Sequence, residues 1–212
     1  MEEELRYYYG FDKYETLIEK LKKYNELKYD GCFYELTTQY DHPCTENSFY
    51  NKKIDGRFRV RCSMNIETKQ SKSKISWKRR INTTLNGAVN KEEEVEVNFQ
   101  FEELDKLVFL LENVIKMKNI ESYERYRNVF HNEDIEIVVD KYPFGIALEI
   151  ENKSKLKTAE ETVLFWVKRL GLKQEDAFRL SWDDKYTELC KQQNIEIFKH
   201  VKFDLPMPKV IE

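Results

Sequence analysis

The chain has 212 residues, enough for one domain of ordinary size, or for one domain with a small appendage. Charged residues make up 35% and the mean hydropathy is -0.74, yet aromatic side chains reach 14%, which excludes a disordered chain. A net charge of -3 gives no electrostatic footprint for DNA or an anionic membrane surface, and no apolar run reaches the ~20 residues of a membrane span.

In chain order, Glu2–Tyr8 reads as a strand. Asp12–Tyr24 follows as an amphipathic helix with Tyr14, Leu17, Ile18 and Leu21 on one side, Asp12 as N-cap and Glu15 completing a capping box. Strands are expected over Tyr34–Tyr40, Arg57–Met64, Lys74–Ile81 and Glu92–Phe99, the last two separated by a polar turn at Asn86-Gly87. A helix over Phe101–Lys116 places Leu104, Leu107, Val108, Leu111 and Val114 on one face. Strands Tyr123–Phe130, Ile135–Asp140 and Gly145–Asn152 come next. A helix over Ala159–Leu170 stops at Gly171, and a last one spans Trp182–Gln193. This order is β-rich α+β, without the βαβ alternation of a parallel sheet. Cys32, Cys44, Cys62 and Cys190 form no CxxC pair and have no His at zinc-finger spacing, so they read as reduced thiols. With no basic-then-apolar leader, a cytoplasmic protein is the expectation.

Alternate residues of a strand face opposite sides of its sheet. Sorted this way, Arg57, Arg59 and Arg61 oppose Phe58, Val60 and Cys62, and Lys74, Ser76, Lys78 and Arg80 oppose Ile75 and Trp77, with Arg79 the exception. Glu92, Glu94 and Glu96 oppose Val95, Val97 and Phe99; Glu136 and Asp140 oppose Ile135, Ile137 and Val139; Glu149 and Glu151 oppose Leu148 and Ile150. A half-exposed sheet would look similar on any one strand. Two features favour a barrel with its charges turned inward. The charges segregate by strand, whereas solvated faces mix signs because neighbouring like charges repel. Apolar helix stripes also need the apolar strand faces to cover, which points the charged faces the other way. Such a lumen suits a metal-bound polyphosphate: arginines fork onto phosphate oxygens, and carboxylates at i and i+2 offer oxygens to a hard divalent cation. No GxxxxGK[ST] is present, so side chains would hold the phosphates.

Together these motifs resemble the CYTH, or triphosphate tunnel metalloenzyme, superfamily. Glu2-x-Glu4-x-Arg6 is similar to its N-terminal ExExK, with Arg for Lys, and Phe58-Arg59-Val60-Arg61 to its LRIR segment. Ser76-Trp77-Lys78, Glu94-Val95-Glu96 and Arg125-Tyr126-Arg127 resemble its TLK-like, ExE and KxR strands. Asp140 resembles the Asp near the end of the following strand, Phe144 to Glu151 the closing LGxxxEIE, and Leu170-Gly171-Leu172 the end of a helix in bacterial members. The resemblance covers residues 1–190, leaving 191–212 as a C-terminal tail without an assignment.

It implies an eight-stranded antiparallel tunnel, Mg²⁺ or Mn²⁺, and a triphosphate-bearing small molecule as partner; an RNA 5′-triphosphate end is among the family's substrates. Glu2, Glu4, Glu149 and Glu151 would hold the metal, with Glu94, Glu96 and Asp140 assisting or holding a second. Arg6, Arg59, Arg61, Lys78, Arg125 and Arg127 would grip the phosphates, joined by Arg57, Lys74 and Arg80. Glu2, Glu4, Arg6 and Lys78 would act directly in turnover. Metal-dependent hydrolysis leads among the implied activities, with adenylate cyclisation and non-catalytic binding of a nucleotide or polyphosphate as alternatives. His42, His131 and His200 read as surface histidines, and Trp166 and Trp182 as core.

Overall fold

The computed structural model describes residues 2–80 and 90–211, with the side chains of Glu2, Arg80, Asn90 and Lys91 left out. The turn expected at Asn86-Gly87 lies outside these residues.

Eight antiparallel strands carry the fold: β1 (Glu2–Tyr9), β2 (Lys28–Asp41), β3 (Gly56–Asn65), β4 (Ser71–Arg80), β5 (Asn90–Phe99), β6 (Lys118–His131), β7 (Ile135–Tyr142) and β8 (Gly145–Asn152). They follow one another in space as β2-β3-β4-β5-β1-β8-β7-β6, and β6 pairs back onto β2 from Lys28↔His131 to Asp41↔Lys118. That last pairing closes the sheet into a barrel and removes both edges. β2 and β6 begin earlier than their side-chain pattern suggests. Gly31, at φ 110°, and a register shift between Tyr29 and Gly31 break the alternation, so Lys28-Tyr29-Asp30-Gly31 looks like a turn.

The first three helices cover the outside, and the last packs against one end of the barrel. α1 (Tyr14–Leu21) is entered by a 3₁₀ turn over Phe11–Lys13, and Asp12 pairs with Lys13 and does not cap the helix. α2 (Leu104–Phe109) and α3 (Phe165–Arg169) are each extended by a wider helical turn, Leu110–Val114 and Glu160–Leu164. Gly171, at φ 69°, lets the chain leave α3, with Leu172 N–H donating to Val167 O at 2.9 Å. α4 (Trp182–Gln193) starts at Ser181, whose N–H donates to the Asp184 carboxylate at 3.0 Å.

α1 and α3 bury Ile18, Leu21, Val163 and Trp166 against Leu5, Ile137, Leu148 and Ile150 on the outer faces of β1, β7 and β8. α4 packs Tyr186, Leu189 and Cys190 against Tyr142, Phe144 and Ala147, and Met207 and Val210 of the tail join them. α2 packs against the outer faces of β2 and β3 through Leu104, Leu107 and Leu111. It leaves Val95 and Val97 of β5 more than half exposed, so the apolar cover is incomplete there. A short strand, β9 (His200–Val201), lies parallel to β6, and Phe203 rests against Tyr126 with ring centroids 5.2 Å apart. Among the described residues no helix is long and apolar enough to cross a membrane.

Candidate active site

With the apolar faces turned out, the charged faces line the lumen. Its lining includes Arg57, Arg59 and Arg61 from β3, Lys74 and Lys78 from β4, and Glu92, Glu94 and Glu96 from β5. Glu4 and Arg6 from β1, Arg125 and Arg127 from β6, and Glu149 and Glu151 from β8 complete the ring expected from the alternation. Counting Glu136 and Lys153, nine cations and seven carboxylates line it among the described residues, and Glu35 and Asp140 pair with its arginines from within the wall. By contrast Arg79, the exception to the pattern, is half-exposed and paired with Glu93 at 2.5 Å on the outside.

Most of these charges hold one another. Arg6 donates from Nε to Glu149 at 2.6 Å and lies 3.2 Å from Glu4. Arg127 bridges Asp140 (2.7 Å) and Glu149 (2.8 Å). Lys78 sits 2.6 Å from Glu92 and 4.0 Å from Glu4, and Lys74 pairs with Glu96. Arg125 donates to Glu35 at 2.7 Å, to Asp140 at 2.9 Å and to the Tyr142 hydroxyl at 3.0 Å. Burial alone would raise the Glu35 and Glu149 carboxyls. Arg125, Arg61 and Arg127 around Glu35, and Arg6, Arg127 and Arg125 around Glu149, hold both well below the usual carboxylate range. Tyr123 lines the same cavity: burial would raise its phenol, but Arg61, Arg125 and Arg59 bring it down to about 7.

Arg59 differs from its neighbours. It is buried, yet among the described residues it makes no hydrogen bond or ion pair. Its cross-strand partner Gln39 is fully buried with neither amide atom bonded, and Glu121, opposite Gln39 on β6, has an unbonded carboxylate oxygen. Burial, and after it the Asp183 carboxylate, push the Glu121 carboxyl up to about 7, against the opposing pull of Arg59 and Arg57.

The two ends of the lumen are unlike. At one, the segment entering α4 crosses the barrel: Phe178 N–H donates to Arg6 O at 2.8 Å, Arg57 reaches Ser181 Oγ at 3.2 Å, and Tyr50 donates to Asp183 at 2.7 Å. Ser181 and Trp182 line the cavity there. At the other end the lumen, about 110 Å³, widens into a mouth of about 280 Å³ bordered by Phe33, Asn98, Val129 and Glu136.

Most expected site residues thus meet in one cavity, and the exceptions have physical reasons. Asp140, expected among the metal ligands, has no exposed surface and does not line the cavity; it lies behind the wall and orients Arg125 and Arg127. Glu2 and Arg80 lie on β1 and β4, but their side chains are outside the described residues. Trp182, expected as core, is buried and also borders the cavity. Glu35, Thr37 and Gln39 went unread as site residues, although Glu35-x-Thr37-x-Gln39-x-Asp41 carries the same polar alternation as the other strands.

An antiparallel eight-stranded tunnel with a charged lumen is the class that fold and site define. No family model matches the chain, and no curated protein sequence matches it. Solved structures do. PH1819 from Pyrococcus horikoshii OT3 is similar with a TM-score of 0.64 and 19% identity, covering 89% of this chain and 99% of that one. An adenylate cyclase candidate from Vibrio parahaemolyticus gives 0.62 at 17%, covering 86% and 95%. HpAC1 from Hippeastrum, an adenylyl cyclase candidate described as having a dominant triphosphatase activity, gives 0.60 at 14%, covering 93% and 98%. At these identities the likeness is one of fold, an eight-stranded antiparallel tunnel flanked by helices.

Proposed function

We propose that this chain is a metal-dependent triphosphatase that binds a triphosphate in the lumen and hydrolyses it. The observation that carries the proposal is the convergence of basic side chains from β1, β3, β4 and β6 on one cavity, with Arg59 making no hydrogen bond or ion pair among the described residues. Confining like charges in a low-dielectric space is costly unless a counter-charge fills it. A triphosphate is that counter-charge, and the fully charged arginines bind its oxygens through forked donors. The activity of HpAC1, a structural neighbour, favours hydrolysis over cyclisation.

A divalent cation such as Mg²⁺ or Mn²⁺ suits the donor set. Glu4 and Glu151 are directly opposed across β1 and β8, an arrangement of like charges that favours a cation between them. No three His, Cys, Asp or Glu side chains among the described residues converge closely enough to hold a metal alone. That fits Mg²⁺, which typically takes one or two carboxylates and completes its shell with water and substrate phosphates. Glu4 and Glu151 would hold it, with Glu149, Glu94 and Glu96 at hand; Asp140 is left to orient arginines. When bound, the ion supplies Lewis acidity at a phosphoryl oxygen and orients water. Arg59, Arg61, Lys78 and Arg127 neutralise charge that develops on the transferred group. The barrel wall keeps bulk water from these pairs, which strengthens them.

A panel of tripolyphosphate, ATP, GTP, thiamine triphosphate and RNA with a 5′-triphosphate, run with each metal, tests the reading. Phosphate release that stops with a chelator and returns with Mg²⁺ or Mn²⁺ is expected. Cyclic AMP with pyrophosphate from ATP would make it a cyclase, and binding without turnover a sensor. Glu4→Ala should lower turnover by about 10²-fold or more, as loss of a metal ligand does. Glu3, whose side chain accepts from Asn152 at 3.3 Å and does not line the cavity, is the control, and Glu3→Ala should leave turnover unchanged.

A further inference from the structure

Tyr123 stands among the arginines of the lumen with a hydroxyl where other strands carry a charge. Its buried ring packs against Trp182 and Tyr142, at centroid distances of 4.2 and 5.8 Å, which fixes the hydroxyl in place. That oxygen accepts from Arg61 Nη2 at 3.2 Å and takes a hydrogen bond from Thr37. The Thr37 oxygen already accepts from Arg61 Nε at 3.0 Å, so its own hydrogen is left for the phenol. Arg59 from β3 and Arg125 from β6 complete the surroundings, the Arg125 guanidinium 5.8 Å from the ring centroid. The carboxylates nearby are engaged elsewhere: Glu35 of β2 by Arg125 and Ser63, Asp140 of β7 by Arg125 and Arg127, Asp183 of α4 by Tyr50 and Arg57. Among the described residues, then, the phenolic oxygen meets donors and cations and no acceptor for its own hydrogen. This pattern suits a phenolate. Burial raises the group, but the three arginines and Thr37 bring it down to about 7. Tyr142 also accepts from Arg125, at 3.0 Å, yet burial pushes its phenol up and Asp140 and Glu149 add to the push.

Resting on the reading of the lumen as a triphosphate site, we propose that Tyr123 is the lumen's own exchangeable anion: its phenolate faces Arg61 and Arg125 until a phosphate chain takes its place. Phosphate oxygens then accept from those arginines. The phenolate, left beside a second anion, binds one proton from solvent and becomes a phenol that can donate to the chain. One O–H bond forms and no other bond changes. Substrate binding therefore carries a proton with it, and affinity falls as pH rises above the range in which Tyr123 ionises. Glu121, two residues back on the same face of β6, titrates in the same range, so the test must tell the two apart.

Calorimetric titration of the whole chain with tripolyphosphate and Mg²⁺, repeated in buffers of different ionisation enthalpy, counts the protons. Tyr123→Phe keeps the ring and its packing and removes the ionisable group. At about pH 8 the parent should take up about one proton more per ligand than Tyr123→Phe, and at about pH 6 the two should match. Protons taken up by the ligand itself are common to both proteins and drop out. The ratio of the two dissociation constants should shift by about tenfold between those pH values. Tyrosinate absorbance of the parent reads the same event without any variant. It should grow by one residue's worth between about pH 6 and pH 8 and disappear when tripolyphosphate and Mg²⁺ are added. Glu121 has no such absorbance and cannot imitate it. Equal proton uptake by parent and variant, or no tyrosinate that responds to the ligand, would overturn the proposal while leaving the triphosphate reading intact. A parent that binds no tripolyphosphate at either pH would overturn that reading, and this one with it.

Discussion

Arg59 and Arg125 occupy similar sites in the sequence, each the first or second basic residue of an RxR pair, and both face the same lumen. Their surroundings assign them opposite duties. Arg125 is tied to Glu35 and Asp140, both buried, so Arg125→Ala leaves two carboxylates without their cation. Removing one side of such a group costs about 3–5 kcal/mol, which urea denaturation should register. Arg59 makes no ion pair among the described residues, and its pull on Glu121 and Asp183 acts at longer range. Arg59→Ala should leave the urea midpoint at or slightly above that of the parent while lowering tripolyphosphate affinity by about tenfold or more. Equal loss of stability in both variants would remove the distinction. The sequence displays the charge of both residues and the face each takes, because alternation needs only local spacing. It does not display which carboxylate from a strand tens of residues away reaches which arginine, and that decides the roles. The same holds for Asp140: its position on β7 is legible, while its enclosure by Arg125 and Arg127 is a property of the closed barrel.

At the level of elements, the strand faces were legible where polar and apolar residues alternate strictly, as in β3, β5 and β8. β2 was read only in part, because a bulge at Gly31 and a mixed face hide its contribution. Its partnership with β6 brings Gln39, Arg59 and Glu121 side by side at the α4 end, a grouping of three strands that no local pattern encodes. This grouping has a pH signature. The Glu121 carboxyl is raised to about 7 by burial and by Asp183, so between its unfolded value and 7 the folded protein binds more protons than the unfolded one. Glu121 therefore costs nothing below about pH 4 and progressively destabilises the fold as pH rises through 7, by on the order of 1–3 kcal/mol. Glu121→Gln should abolish that decline, so that its stability relative to the parent increases from pH 5 to pH 8. Glu35 and Glu149, held low by arginines, act in the opposite sense and lose their contribution as pH falls through the acid range. Parallel pH profiles for Glu121→Gln and the parent would show that Glu121 ionises normally.

Taken whole, the molecule gathers its basic and acidic strand faces into one lumen. A ligand that fills the lumen should stabilise the fold in proportion to its occupancy. Tripolyphosphate with Mg²⁺ at about 100 times its dissociation constant should add about 2.7 kcal/mol. For a chain of this size that raises the thermal midpoint by roughly 5–10 °C, increasing with the logarithm of concentration. Pyrophosphate or sulfate giving the same shift at equal concentration would mean that the lumen does not measure chain length.

The order of pairing also sets when the site can exist. β1, which carries Glu4 and Arg6, precedes the other seven strands of the barrel, yet it lies between β5 and β8, and Arg6 finds Glu149 143 residues further on. Such long-range closure is slow, and during synthesis the first strand has neither flanking strand to join. Until β8 leaves the ribosome, Arg6 and Glu4 belong to an open chain with no lumen to face. The charged interior, costly to assemble without its partners, therefore cannot close before β8 joins β1, and on the triphosphatase reading a chain truncated before β8 should show no turnover.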